Sequence, residues 1–403
     1  MGLSLGVLST SYPRHPGDPA GRFVSELCGW LAARGDRVEV LAPAPAGSEH
    51  PGVTVHGLRY AVRPRLLYGA GAPDNLRSLR ARVQVPALVG RMALSCRLRS
   101  RRWQRILSHW LLPCGLTAAR FGRGLPHLAV AHSSDVHLLA RLPAGSLLLR
   151  GLLRRRTGLV LTSESLRRPL LRLAHTRATQ SLVQGAPVVR MGIETARLLS
   201  PDAALRARAR RRLDVNGRLV VLALGRLVPV KGIDLLIRAV APLDSERLVL
   251  AVVGDGPERA RLARLAAELD APVRFVGERT GAGRDAWLRA ADVFAAPSVE
   301  LPDGRSDSAP VALLEAMAAG LPVVASDAGG NAALLEGAEA AGAQQVAGLL
   351  VTTGALGPLR RAIARLAGDP GLRTQLGEAG RAVAAEHTWD HVGSRLRALL
   401  MAL

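Results

Sequence analysis

The chain has 403 residues, 48% of them hydrophobic and 3% aromatic, and it carries a formal net charge of +22. This length exceeds what one hydrophobic core usually serves, so two domains are expected, and the apolar content excludes an intrinsically disordered protein. No uncharged apolar run reaches the ~18 residues of a membrane span, and no basic start precedes an apolar stretch as in a secretory signal. The three scattered cysteines fit neither a disulfide framework nor a zinc site. A cytoplasmic protein is therefore expected.

The positive charge comes almost entirely from arginine, because Lys231 is the only lysine in the chain. Arginine is concentrated at residues 97–105, 150–156 and 206–212. Nucleic acid is not the expected partner, since the chain shows no aromatic stacking platform, zinc-finger spacing or RNA-recognition signature. An anionic membrane surface, a lipid-diphosphate acceptor and ordinary solvated helix faces all remain open as interpretations of these runs.

The chain opens with a strand, a polar loop, a helix and a second strand. Residues 3–8 and 37–42 predict the strands, and residues 23–34 carry apolar side chains at helical spacing. This order is typical of the start of a Rossmann-like domain. The loop has no G-x-G-x-x-G and therefore lacks a dinucleotide fingerprint. Its Gly21 is either an ordinary tight turn or a point where the backbone approaches a phosphate.

A predicted strand at residues 128–131 runs directly into His132. Open α/β sheets bind ligands at the carboxyl ends of their strands, so His132 is a site candidate, with a purely structural histidine as the alternative. His109 is a weaker candidate. Residues 90–112 alternate arginine with apolar residues and predict an amphipathic helix, either on a bilayer or, slightly favoured, on the domain surface.

A charged connection at residues 196–218 separates the two halves, and the alternation of strands and helices then restarts. Strands are predicted at residues 219–224, 248–253, 273–276 and 293–296, with a helix at residues 233–240. This pattern predicts a second doubly wound domain. Arg226 and Lys231 share the loop after the first of these strands, where two cations suit a diphosphate leaving group.

The stretch from residue 305 to residue 330 carries the main functional signal of the second half. Residues 311–319 predict a helix that ends at Gly320, and residues 321–325 predict a buried parallel strand. Asp307 lies at the helix entrance and Glu315 eight residues later, roughly 12 Å along the axis. The positive helix N-terminus between them suits anionic oxygens, and Glu315 suits the hydroxyls of a ribose.

Several kinds of site are excluded by their missing motifs. Lys231 is followed by glycine and no Walker loop precedes it. The chain has no H-E-x-x-H, no closely spaced Cys/His set and no G-x-S-x-G elbow. No D-x-D pair is present to bridge a metal and a diphosphate. No metal is therefore expected at this site.

A series of segments in a specific order resembles family 4 of the retaining nucleotide-sugar glycosyltransferases, which have the GT-B fold. The segments are STSYPRHPGDPAGRFVSELCGWLAARGDRVEVLAP, HSSDV, VVRMGIE, LGRLVPVKGIDLLIRAV, VVGDGPE, VRFVGE, AADVFAAPS and the stretch from residue 305. The resemblance implies an α/β protein with two Rossmann-like domains facing a cleft. Residues 1–195 would form the acceptor domain, residues 196–385 the donor domain, and residues 386–403 a helix that returns to the N-terminal domain.

By position, the resemblance assigns the binding of the donor phosphates and ribose to four residues. Arg226 and Lys231 would bind the diphosphate, and Glu315 would bind the ribose. Gly21 would offer its backbone to the phosphate from the opposite domain. The nucleotide sugar is a substrate in this scheme, and no cofactor is implied.

The remaining assignments concern the transferred sugar and the base. His132 would approach the sugar, Val276 would edge the base pocket, and Ala309 and Val311 would complete donor binding. Asp307 stands where the family has the first glutamate of its E-x7-E pattern. Because aspartate is one methylene shorter, its contact with the sugar hydroxyls is expected to be looser or shifted.

The implied activity is transfer of a hexosyl group, with retention, from a UDP- or GDP-sugar to a hydroxyl acceptor. The basic N-terminal half leaves open a lipid-linked or membrane-borne acceptor and peripheral contact with the inner membrane face. The alternative is a catalytically impaired Rossmann-type binding protein associated with an anionic membrane surface or with nucleic acid.

Overall fold

The computed structural model describes residues 2–15, 18, 20–43, 50–61, 79–154, 156–194, 202–244, 246–302, 306, 311–335 and 346–403. The chain forms two compact units. Unit 1 comprises Met1–Gly192 together with Trp389–Leu403, and unit 2 comprises Ile193–Thr388. The boundaries predicted from the sequence fall after residues 195 and 385.

Unit 1 is built on a six-stranded parallel sheet with the order β3-β2-β1-β4-β5-β6. Its strands are β1 (Ser4–Leu8), β2 (Arg37–Ala42), β3 (Val53–Gly57), β4 (Arg105–His109), β5 (His127–Ala131) and β6 (Thr157–Leu161). The chain starts in the middle of the sheet, builds one half and then returns past β1 to build the other. The strand order therefore reverses between β1 and β4, and the carboxyl ends of these strands form the crevice where such sheets bind ligands.

The central strands β1, β4 and β5 are almost entirely buried because helices cover both faces of this sheet. These helices are α1 (Arg22–Ala33), α2 (Leu79–Arg82), α3 (Val85–Arg99), α4 (Leu116–Phe121), α5 (Ser133–Arg141), α6 (Gly145–Leu152), α7 (Arg167–Leu173), α8 (Arg177–Gln184) and the last helix of the chain, α17 (Trp389–Met401). Leu107 packs into the apolar cluster on one face, and its neighbour Ile106 packs into a cluster on the other.

The helix predicted over residues 90–112 is wrong in its second half. Helix α3 ends at Arg99, a short 3₁₀ turn follows at Ser100–Arg102, and β4 then occupies a central place in the sheet. A short apolar run cannot be assigned to helix or strand by its period alone. Pairing with β1 and β5 decides the conformation, and neither the bilayer helix nor the surface helix applies to β4.

Helix α17 packs against α1 within unit 1. Its apolar face is buried, through Trp389, Val392, Leu396 and Leu400. Polar contacts fix its position as well. The indole Nε1 of Trp389 donates to Glu26 at 3.0 Å, and Arg397 forms an ion pair with the buried Asp36 at 2.9 Å. The amphipathic tail predicted from the sequence therefore buries its apolar face against the first helix of the chain.

Unit 2 repeats the architecture with a parallel sheet of order β12-β11-β10-β7-β8-β9. Its strands are β7 (Leu219–Leu224), β8 (Leu248–Val253), β9 (Val273–Gly277), β10 (Val293–Ala296), β11 (Val323–Ser326) and β12 (Leu349–Val351). Its helices are α9 (Ala203–Arg212), α10 (Ile233–Val240), α11 (Arg259–Glu268), α12 (Gly281–Ala290), α13 (Val311–Ala318), α14 (Asn331–Leu335), α15 (Leu356–Gly368) and α16 (Pro370–Ala385). The strand order reverses between β7 and β10, so the loop after β7 lies at the ligand-binding crevice of this sheet.

The arginine run at residues 206–212 is partly structural. Arg206 and Arg210 on α9 form ion pairs with Asp292, which directly precedes β10, at 2.6 and 2.9 Å. Asp292 also accepts the backbone N–H of Val220 in β7 at 2.8 Å. These two arginines therefore hold α9 against the sheet. The interpretation of this run as a solvated helix face applies only to its other arginines.

None of the described helices combines the length and apolar character that crossing a bilayer requires.

Candidate functional site

A pocket opens in unit 2 at the carboxyl end of β7. Arg226, Lys231, Ser298, Ala312 and Leu313 are among its lining residues. The first two belong to the loop after β7, the third follows β10, and the last two belong to the first turn of α13. The structure therefore places both predicted cations next to the start of the helix that carries Glu315.

Glycines bring the lysine into position. Gly232, immediately after Lys231, has φ +61°, and a Cβ atom there would lie 2.0 Å from the carbonyl oxygen of Pro297. A Cβ atom on Gly225 would lie 3.7 Å from Nζ of Lys231, so the amine extends over the backbone at the end of β7. Gly232 needs glycine because of its positive φ and the contact with Pro297, and Gly225 needs it because its φ is +143°.

Ser298 was not selected from the sequence. Its side chain is 1% exposed, and its Oγ has no hydrogen-bond partner among the described residues. The backbone carbonyl of Ser298 accepts a hydrogen bond from the Ser326 hydroxyl at 2.5 Å, which fixes the chain at this point. A buried hydroxyl without a partner is uncommon, and this one lies in the wall of a pocket that is also lined by Arg226 and Lys231.

Glu315 lies one turn into α13 and is 6% exposed. Its carboxylate pairs with the guanidinium of Arg284 on α12, with 2.5 Å between Nη1 and Oε1 and a second contact between Nη2 and Oε2. No pattern in the sequence pointed to Arg284, which lies on helix α12. The structure begins that helix at Gly281.

Two other predicted donor residues lie at the same edge of the sheet. Val276 is the penultimate residue of strand β9, is partly buried and packs against the apolar core. Next to it, the carbonyl of Gly277 accepts the N–H of Gly254 at 2.9 Å. Val311 begins α13 and packs against the core, as does its neighbour Ala312, which also lines the pocket. Asp307 and Ala309 lie outside the described residues.

In unit 1, Gly21 sits at the entrance of α1 with φ +64°. A Cβ atom there would lie 2.1 Å from the carbonyl oxygen of Ser11, so this position needs glycine. The loop between β1 and α1 folds back on itself at this point. The requirement is steric, and the predicted phosphate contact remains a prediction.

His132 follows β5 and is 7% exposed. Its Nε2 lies 3.3 Å from Nδ1 of His109, at the end of β4, and its backbone N–H donates to Asp135 at 2.9 Å. The two histidine rings form one aromatic cluster with Trp110 and Phe23. The structure thus joins the stronger and the weaker histidine candidates of the sequence into one pair.

Burial sets the protonation of this group. It lowers the pKa of His109 to about 3, and burial together with the neighbouring His109 lowers the pKa of His132 well below its usual value. Both rings are therefore neutral near pH 7, and His132 can offer a hydrogen bond but no positive charge. Burial raises the pKa of Asp135 to about 7, against the opposing effect of backbone donors such as Leu111. No group of three or more His, Cys, Asp or Glu side chains in the described part of the chain is placed to hold a metal ion.

Comparison with known protein families identifies both halves of the chain. A family model described as Glycosyltransferase Family 4 matches residues 20–183, and one described as Glycosyl transferases group 1 matches residues 218–369. The chain belongs to the group 1, family 4 glycosyltransferases. Unit 2, with Arg226 and Lys231, contains the second match, and the residues around Gly21 and His132 lie in the first.

Two curated relatives illustrate the sequence similarity. A D-inositol 3-phosphate glycosyltransferase of Salinispora arenicola is 37% identical over 228 residues, which cover 52% of this chain and 48% of that protein. A GDP-mannose-dependent alpha-(1-6)-phosphatidylinositol monomannoside mannosyltransferase of Mycolicibacterium smegmatis is 35% identical over 216 residues, or 52% and 54% of the two chains. The aligned part of this chain thus spans about half the length of these relatives.

Solved structures of more distant proteins share the whole fold. Sucrose-phosphate synthase from Thermosynechococcus elongatus has a TM-score of 0.75 at 23% identity and covers 99% of this chain and 98% of its own. Anabaena Alr3699/HepE, solved in complex with UDP and glucose, has a TM-score of 0.74 at 20% identity over 100% of both chains. With the two parallel sheets, this likeness confirms the predicted α/β, GT-B fold class.

Proposed function

We propose that this protein is a retaining glycosyltransferase that moves a hexosyl group from a UDP- or GDP-sugar to a hydroxyl acceptor without a metal ion. One observation carries the proposal. Arg226, Lys231 and the first turn of the helix that bears Glu315 line a single pocket at the switch point of the unit 2 sheet. Fixed positive charges of this kind suit a diphosphate.

The chemistry follows from this charge arrangement. The bond between the sugar C1 and the diphosphate oxygen breaks while the acceptor oxygen bonds to C1 on the same face. The acceptor proton passes to the leaving phosphate oxygen. Arg226 and Lys231 neutralise the charge that develops on the leaving diphosphate, aided by the positive end of α13. The absence of a D-x-D pair in the sequence supports metal-independent transfer.

The other roles in the proposal remain predictions from the family resemblance. His132, which is neutral, and Asp307 approach the transferred sugar, and Gly21 approaches the phosphate. Buried Ser298 adds a hydroxyl to the wall of the diphosphate pocket, because its Oγ is otherwise without a partner among the described residues.

The names of the two relatives indicate the class of acceptor. One name contains D-inositol 3-phosphate and the other contains phosphatidylinositol monomannoside. Both are anionic polyols, and a chain with a net charge of +22 attracts anionic molecules. We therefore propose a phosphate-bearing hydroxyl acceptor, either free or lipid-linked.

The test uses the full chain with a panel of UDP- and GDP-sugars. A true donor binds the native state and raises the melting temperature, and it is then assayed for transfer and hydrolysis. We expect Lys231→Ala to lower kcat about 10²- to 10³-fold, the range found when one transition-state donor is removed. Lys231→Arg should retain more activity because it keeps the charge.

Arg247→Ala is the matched control, since this side chain is 88% exposed on the surface of the same unit. It should behave as the unmodified protein does. Turnover in Lys231→Ala equal to that of the unmodified protein would overturn the assignment of the pocket. Binding of a nucleotide sugar without any turnover would favour the impaired binding protein instead.

A further inference from the structure

The carboxylate proposed to bind ribose has a fixed partner. The side chains of Glu315 and Arg284 are 8% and 13% exposed, and the guanidinium meets both carboxylate oxygens. A buried carboxylate needs charge compensation, and a two-point arginine contact also fixes its plane. The orientation of Glu315 is therefore set by Arg284, from a separate helix.

The helix that carries Arg284 is itself rigidly held. Trp287 and Leu288 on α12 are 2% and 1% exposed in the apolar core. The last carbonyls of α12 are bound from α9, where Arg206 donates to the carbonyl of Arg289 at 3.1 Å and Arg210 to that of Ala290 at 2.7 Å. A helix anchored at its middle and its end can hold a guanidinium in place.

We propose that Arg284 is a positioning residue that orients the Glu315 carboxylate for the two hydroxyls of the nucleotide ribose. An ionised carboxylate offers about four lone-pair sites, and a two-point contact with arginine uses two of them. The other two are not used by the guanidinium and can accept from a vicinal diol. The inference rests on the proposed function, because it assumes that the ligand is a nucleotide.

Chain connectivity supports this placement. Arg284 lies seven residues after Gly277, the end of β9, and Val276 beside it is the predicted edge of the base pocket. One segment thus runs from the expected base site to the group that orients the expected ribose site.

The experiment compares ribose with deoxyribose on the full chain. Isothermal titration measures Kd for UDP and GDP and for their 2′-deoxy and 3′-deoxy analogues. We expect the unmodified protein to prefer the ribonucleotide at least tenfold, and Glu315→Gln to abolish this preference. Arg284→Gln should reduce it to less than threefold while Kd for the deoxynucleotides changes little. Arg284→Lys should restore part of it.

Two further variants keep the result interpretable. Arg289→Gln lies on the same helix, about 140° around its axis from Arg284, and should leave the preference unchanged. The double variant Arg284→Gln/Glu315→Gln removes both buried charges and should show no larger loss of preference than Glu315→Gln alone. Melting curves confirm that each variant is folded.

The possible failures are distinct. If neither diphosphate binds the unmodified protein, the proposed function fails and the inference fails with it. If the ribonucleotide preference is present and Arg284→Gln preserves it, the positioning role is refuted while the proposed function stands. An equal loss of affinity for ribonucleotide and deoxynucleotide in Arg284→Gln also refutes positioning, because it shows a general structural role.

Discussion

Asp292 offers the sharpest stability test in the molecule. It joins α9 to the sheet by accepting from Arg206, Arg210 and the backbone of Val220. Replacing it by alanine leaves two guanidinium groups and one backbone N–H without this acceptor. The effect should be confined to unit 2, which contains all of these groups.

The magnitude follows from the exposure of each partner. The side chains of Asp292 and Arg210 are each 15% exposed, so loss of this pair belongs to the class of broken buried ion pairs, about 3–5 kcal/mol. Arg206 is 40% exposed, and its pair therefore contributes at most about 1 kcal/mol. We expect Asp292→Ala to lower the free energy of unfolding of unit 2 by about 3–5 kcal/mol. Asp292→Asn should cost about 2 kcal/mol because one neutral acceptor remains.

Urea unfolding followed by circular dichroism measures the change, and hydrogen exchange of peptides from α9 and β7 locates it. Asp369→Asn is the matched control. Asp369 caps α16 by accepting from Leu372 at 2.8 Å, and asparagine caps helices equally well. A loss below about 0.5 kcal/mol in Asp292→Ala, the range of ordinary surface substitutions, would refute this role of Asp292.

Two further predictions concern backbone strain and pH. Gly232→Ala should lower the free energy of unfolding by more than the ~1–2 kcal/mol of a left-handed alanine, and should also abolish donor binding, because its Cβ meets the carbonyl of Pro297. The control is Gly217→Ala, which has φ +75° and open space and should show only the conformational cost. Equal melting temperatures for the two variants would contradict this prediction. Burial lowers the pKa of His109 and of His127 to about 3. Below pH 6.5 the unfolded chain therefore binds more protons at these residues than the folded chain does. Their contribution to stability is complete above pH 6.5 and is lost as the pH falls toward 3. At pH 5 each histidine should lower the free energy of unfolding by about 2 kcal/mol relative to pH 8. His127→Gln can still form a hydrogen bond with Ser108, and it should reduce the stability lost between pH 8 and pH 5 by that amount in urea titrations. An unchanged loss of stability would contradict the assignment.

Local sequence patterns predicted much of the fold because parallel strands that are covered on both faces need continuous apolar runs. The strands Leu219–Leu224, Leu248–Val253 and Val293–Ala296 match their predicted bounds, and so does the helix Ile233–Val240. Strand β4 was missed because its short apolar run is flanked by arginines that suit a helix equally well.

For the site, the sequence predicted the loop that carries both cations. Arg226 and Lys231 are five residues apart at the end of a recognisable strand, so their proximity follows from short-range geometry. The roles assigned to Gly21, His132, Asp307 and the other donor residues stay predictions. For Asp307 and Ala309 even the placement stays open, since both lie outside the described residues.

Local sequence determined most of the strands and helices and the loop that holds the lysine and arginine, since these depend on neighbours a few residues away. The tertiary structure decided the conformation of β4, which pairs with β1 and β5. The tertiary structure alone decided which distant side chains meet. Arg284 and Glu315 are separated by 31 residues, Arg206 and Asp292 by 86, and His109 and His132 by 23. Such pairs form because the sheet order brings separate segments together, and no local periodicity encodes the partner of a buried charge.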